Sequence, residues 1–205
     1  MKPYNFFLVG VGGQGTLLAS DVLALVGIKV GYDVKKSEIH GMAQRGGSVT
    51  SQVRWAEKVY SPLVSRGEAD YYLAFERLEG LRYIEYLRLG GVAIINDYKI
   101  PPVSVNVGAD EYPDEERTQR ILREVTERVY FVPAMQIAEA VGNARTNNVV
   151  LLGALSSFLD VPPESWLEVI SERVPQRYIE INRQAFLRGR QAIKIADLPK
   201  KTNRV

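Results

Sequence analysis

Phe6-Phe7-Leu8-Val9 is an unbroken apolar run that stops at Gly10. A run without alternation suits a strand covered on both faces, as in a parallel sheet. Beyond the glycines, Leu18, Val22 and Leu25 recur at helical spacing, with Gly27 as the stop. A second strand is predicted near Gly31–Lys36. Val49, Val53 and Trp55 occupy alternate positions of a third, Ser48–Trp55. Tyr71–Phe75 and Val92–Asn96 read as further buried strands. Between them Leu78–Leu89 reads as a helix closed by Gly90-Gly91. Pro101-Pro102 breaks the pattern, and the acidic, turn-rich stretch from Gly108 to Glu116 reads as a surface excursion. Ile121, Leu122 and Val125 form a helical stripe, and Val129–Val132 forms a strand. Helices are predicted over Ala134–Val141, over Asn147–Leu159 and from Pro162-Pro163 to Val174. A last one gathers Tyr178, Ile181, Ala185 and Gly189. This order predicts a Rossmann-like α/β fold: an open, mostly parallel sheet with helices on both faces.

At 205 residues the chain is long enough for one well-buried core and short for two, so residues 1–205 read as one domain. A net charge of +2 points to neither nucleic acid nor membrane. Nine basic and two acidic residues from Arg173 onward read as a solvated helix face, or as a patch for an acidic partner or anion. No apolar run approaches the roughly 20 residues that cross a bilayer, and no leader is visible, so the expected location is the cytoplasm. The absence of cysteine rules out disulfides and thiolate ligation of zinc or an iron–sulfur cluster. One histidine, His40, rules out multi-histidine metal sites; carboxylate-only magnesium binding stays open.

Gly10-Val11-Gly12-Gly13-Gln14-Gly15 fits G-x-G-x-x-G between a strand and a helix. There, glycines let a phosphate approach the backbone, and the helix start offers free N–H groups; Thr16 adds a hydroxyl. NAD binding calls for an acidic residue after the second strand, where this chain has Lys35-Lys36-Ser37-Glu38. The lysines support NAD poorly and NADP better, and no Walker pattern closes the turn. The alternative is that the glycines only pack the first helix on the sheet.

The segment Ser37–Ser48 (Ser-Glu-Ile-His-Gly-Met-Ala-Gln-Arg-Gly-Gly-Ser) concentrates the remaining chemistry. After a second strand it would lie at the carboxyl edge, near the glycine turn. Arg45 can pair with a carboxylate or phosphate at two points, and Gly46 and Gly47 let the backbone bend toward a ligand. His40 can exchange a proton near neutral pH, or serve as a local hydrogen-bonding residue. Asn143–Asn148 are candidate helix caps, and Asp97 is a candidate turn residue. No Gly-Asp-Gly motif with a paired asparagine is present at the spacing thiamine diphosphate and magnesium require.

Three segments, Gly10–Gly15, Ser37–Val49 and Asn147–Leu155, resemble the gamma-type domain of the 2-oxoacid:ferredoxin oxidoreductases, as does Asn182–Gly189. The His40–Gly47 run is most similar to indolepyruvate-type members. The resemblance spans nearly the whole chain. It implies a small, cluster-free subunit, inactive alone, of a cytoplasmic complex that converts aryl 2-oxo acids to arylacetyl-coenzyme A, carbon dioxide and reduced ferredoxin. It also implies a large partner subunit holding thiamine diphosphate, magnesium and iron–sulfur clusters, with coenzyme A as co-substrate and ferredoxin as electron acceptor. This chain would then bind no cofactor or metal by itself. Gly10, Gly12, Gly13, Gln14, Gly15, Thr16, Arg45, Gly46 and Gly47 are the candidates for an anion, a coenzyme A phosphate or a partner-held cofactor, and His40 is the catalytic candidate. Three alternatives stand beside this one: a gamma subunit for pyruvate or 2-oxoglutarate, an NADP-binding oxidoreductase, and a non-catalytic scaffold.

Overall fold

The computed structural model describes residues 1–40 and 46–196. Strand β1 (Tyr4–Val11) leads through the glycine turn into α1 (Thr16–Lys29). A hairpin follows, formed by β2 (Asp33–His40) and β3 (Ser48–Ala56). Then come β4 (Ala69–Ala74), α2 (Arg77–Arg82), a 3₁₀ turn, β5 (Leu87–Asn96), α3 (Val103–Asn106), α4 (Glu115–Val125) and β6 (Val129–Val132). The remainder is helical: α5 (Ala134–Ala140), α6 (Asn147–Ser156), α7 (Pro163–Arg173) and α8 (Ile179–Ala196). No helix of the described residues is long and apolar enough to cross a membrane.

The six strands form one open sheet in the order β2-β3-β1-β4-β5-β6. β1, β4, β5 and β6 run parallel, and β3 lies antiparallel to both β1 and β2. The mostly parallel expectation therefore holds, with one antiparallel strand inserted. Phe6 and Leu8 point to one face, Phe7 and Val9 to the other, so β1 is buried on both sides. The first face is covered by α1 and α5 through α8, the second by α2 and α4.

Helix α6 explains why its segment lacks a periodic pattern: all ten residues are buried. Burying each Val or Leu side chain is worth about 1.5–3 kcal/mol. Its partner α8 approaches backbone to backbone. A Cβ on Gly153 would lie 2.0 Å from the Phe186 carbonyl oxygen, and one on Gly189 would lie 1.9 Å from that of Val150.

Three expectations are corrected. Gly27 does not stop α1, which runs on to Lys29; it leaves room for the Trp55 indole, 2.5 Å from where a Cβ would stand. The helix expected over Leu78–Leu89 ends at Arg82, and Gly90-Gly91 lie inside β5. Gly90 takes φ +69° there, close to an irregularity in the β4–β5 register, so these glycines serve a strand distortion and not a helix stop. The second strand starts at Asp33 and reaches His40, taking up the first part of the Ser37–Ser48 segment.

Candidate functional site

Because β2 and β1 point the same way, the hairpin tip and the glycine turn share the carboxyl edge of the sheet. Val11 pairs with Ser48 and His40 with Val49, and the Gly12 N–H donates to the Gly47 carbonyl at 2.9 Å. Gly10, Gly12, Gly13, Gln14, Gly15, Thr16, Gly46 and Gly47 thus come together. His40 closes β2 in this register, its side chain lying outside the described residues, as does Arg45.

Gln14 folds back over the turn. Its Oε1 accepts from Val11 N–H at 2.7 Å, and its Nε2 donates to the Phe75 carbonyl at 2.9 Å. Asn96 donates to the same carbonyl at 3.0 Å and accepts from Ala134 N–H at 3.2 Å. The ends of β1, β4 and β5 and the start of α5 are thereby tied together. Gly15 precedes α1 with φ +80°, a conformation that disfavours a side chain. The Asn148 amide fills the space a Cβ would take and donates to the Gly15 carbonyl at 3.3 Å.

Among the described residues, the amides of Gly13, Gly15, Thr16 and Leu17 have no partner. The Thr16 hydroxyl is also buried without one. A cleft of about 300 Å³ opens here, lined by Gly12, Gly13, Gly15, Thr16, Leu17 and Val49 among others. Free amides at the start of a 14-residue helix, with an orphan hydroxyl beside them, are groups that can donate to an anion. The apolar side chains of Leu17 and Ile39 stand exposed at 40% and 57%.

Below the hairpin, Ser48 Oγ donates to the buried carboxylate of Glu79 and lies 3.0 Å from Tyr83 Oη. Arg82 donates to the other Glu79 oxygen at 2.7 Å. Glu76 is buried too and accepts from Glu79 N–H, Ile100 N–H and Tyr112 Oη. Burial first, then this carboxylate, raises the Tyr112 phenol far above its ordinary value, so it remains a donor. The sequence reading missed both glutamates. Their signal is two carboxylates three residues apart, directly after a buried strand.

The arrangement differs from a dinucleotide-binding unit. The strand beside β1 on this side is β3, and Glu38 lies one strand further out. Its carboxylate accepts from Ser20 Oγ at 3.0 Å and from Lys36 Nζ at 2.6 Å. Lys36 also pairs with Asp21, which takes Arg173 at 3.1 Å. Burial opposes the Lys36 charge, but these two carboxylates outweigh it and raise its pKa. Lys36 is thus occupied within the fold, which removes support from the NADP alternative. The chain has no cysteine to ligate a cluster, and among the described residues no group of three or more His, Asp or Glu is placed to hold a metal.

The fold is an open α/β sheet whose glycine turn is braced by an antiparallel hairpin. Residues 5–192 match the pyruvate ferredoxin/flavodoxin oxidoreductase family, and the chain belongs to it. More particularly, it is 43% identical to the indolepyruvate oxidoreductase subunit IorB of Pyrococcus horikoshii, covering 95% of this chain and 98% of that one. It is also 40% identical to the subunit of that name from Archaeoglobus fulgidus, over 90% and 92% of the two chains. Among solved structures, the gamma subunit of a keto/oxoacid ferredoxin oxidoreductase from Geobacter sulfurreducens superposes with a TM-score of 0.70 at 25% identity, covering 94% and 99%.

Proposed function

We propose that this chain is the small subunit of an indolepyruvate-type, aryl 2-oxo acid:ferredoxin oxidoreductase, and that its glycine turn holds an anionic group, a phosphate of coenzyme A, against the partner subunit. The observation that carries the second half is the set of amides of Gly13, Gly15, Thr16 and Leu17, unpartnered among the described residues, with the orphan Thr16 hydroxyl. The first half rests on near full-length similarity to subunits that bear this name. Decarboxylation belongs to a large subunit carrying thiamine diphosphate, magnesium and iron–sulfur clusters. Coenzyme A takes up the arylacetyl group, and ferredoxin takes up the electrons. In this division the chain's own residues bind and orient. The turn amides and Thr16 hold the phosphate, with Gly46 and Gly47 of the hairpin on the same anion, and the sequence offers the Arg45 guanidinium to it. His40 is the residue of this chain that can exchange a proton near neutral pH, and exposed Leu17 and Ile39 face the partner.

Two measurements test this. The isolated chain is expected to oxidise no aryl 2-oxo acid, and adding the large subunit is expected to restore turnover; robust turnover by the chain alone refutes the subunit role. Thr16→Val deletes a hydroxyl that has no partner among the described residues, so folding stability should hold. In the reconstituted complex it should raise the KM for coenzyme A several-fold. An unchanged KM favours the scaffold reading, in which the glycines serve packing alone.

A further inference from the structure

A second cleft, of about 380 Å³, opens on the far side of the Gly15–Asn148 contact. Three parts of the chain wall it: Leu18 of α1, the segment from Asn143 to Asn148 that enters α6, and the α7–α8 junction through Val174, Pro175, Tyr178 and Asn182. Its volume lies within the roughly 300–1,000 Å³ of small-molecule sites.

Its chemistry is one-sided. Of the described residues lining it, Arg145 alone carries charge, and its guanidinium has no carboxylate partner among the described residues. Asn143 spends its side-chain oxygen on Arg145 N–H at 3.0 Å, leaving its amide nitrogen free to donate. Asn182, 6% exposed, spends its nitrogen on the Tyr178 carbonyl at 2.8 Å, leaving its oxygen free to accept. Leu18, Val174 and Pro175 form an apolar wall beside the Tyr178 ring. The Arg177 guanidinium sits 4.8 Å from that ring's centre, adding positive charge nearby.

We propose that this cleft binds a small planar ring that carries an anionic group and an N–H. The anion would sit on Arg145 and the Asn143 amide, the ring against the apolar wall, and the N–H on the Asn182 oxygen. An arginine gives phosphate and carboxylate the same two-point contact, so a nucleoside monophosphate and an aryl carboxylate share this chemistry. The site lies outside the glycine turn and stands independently of the coenzyme A reading.

The test is calorimetric titration of the full chain, at low salt, with adenosine 5′-monophosphate and with indole-3-acetate. At least one should bind with millimolar affinity or better, and the one that binds identifies the source of the anion. Arg145→Ala, at an exposed position, should weaken binding at least tenfold. Asn143→Asp keeps the acceptor for Arg145 N–H, replaces the donor with a negative charge, and should weaken it as much. Failure of both probes to bind overturns the proposal. So does a loss below threefold in Arg145→Ala, or an affinity that follows Thr16→Val and not Arg145→Ala, which would place the anion on the glycine turn.

Discussion

Gly189→Ala tests how the helical layer is held. On an exposed helix this change gains about 1 kcal/mol of helix propensity. Here the new Cβ would stand 1.9 Å from the Val150 carbonyl oxygen and 2.8 Å from its carbon. Both are backbone atoms, so no rotamer relieves the clash. Restoring an ordinary contact of roughly 3.5 Å needs α8 and α6 to part by about 1.5 Å. The reciprocal approach at Gly153, 2.0 Å from the Phe186 carbonyl, keeps α8 from sliding sideways to escape. Parting strips packing from Phe186 and Ala185 on α8 and from Val150 and Leu151 on α6, all fully buried. Overpacking costs about 1–3 kcal/mol by itself and more where backbone must move. The expected net destabilisation is about 3 kcal/mol, after the propensity gain. Urea unfolding followed by far-UV circular dichroism should show the midpoint lowered by roughly 1.5 M at a slope near 2 kcal/mol/M. Gln184→Ala, exposed on the same helix, is the control and should stay within about 0.5 kcal/mol. A Gly189→Ala chain as stable as the wild type, or more so, would refute the close-crossing argument.

Gln14→Ala removes the bracket between Val11 N–H and the Phe75 carbonyl, leaving an unpaired amide; a loss of about 1–3 kcal/mol is expected by the same assay, and unchanged stability would show that the bracket does not hold the turn. Asp33 is held below the ordinary carboxylate range first by the Val59 N–H at 2.8 Å, with Lys35 and Lys58 adding to it. Its contribution is therefore present above the unfolded value near 3.9 and lost as pH falls through the lower folded value. Asp33→Asn should flatten the acid side of the stability profile between roughly pH 5 and pH 3, and an unaltered slope would contradict this.

Much of the sheet was legible because its strands are continuous apolar runs. Phe6–Val9 and Val92–Asn96 fall inside buried strands, as does Tyr71–Ala74, with Phe75 buried just beyond the end of β4. Glycines were legible only in part, since one residue type serves a turn, a strand distortion and a close approach. Gly15 at a helix start fits local rules. Gly27 answers to Trp55, 28 positions away, and no local pattern carries that information. The segments Asn147–Leu155 and Asn182–Gly189 carried the resemblance without a visible reason. Gly153 and Gly189 supply it, because each sits against the other helix's backbone. At the site, the meeting of the glycine turn with Gly46-Gly47 followed from strand direction, although a hairpin brings it about and not a crossover. The roles of Glu79 and Asn148 depend on partners 31 and 133 residues away and were beyond reach.

The hairpin that braces the glycine turn also decides what the sheet presents at its margins. Its outer strand β2 leaves a full eight-residue row of backbone groups open on one side. Such a row can recruit another chain into an indefinite ribbon. Four of the eight residues are charged, Asp33, Lys35, Lys36 and Glu38, and a neighbouring strand would have to desolvate them or lie against like charges. The opposite margin, β6, is only four residues long. Placing the charged strand outermost therefore guards the chain against self-association into aggregates.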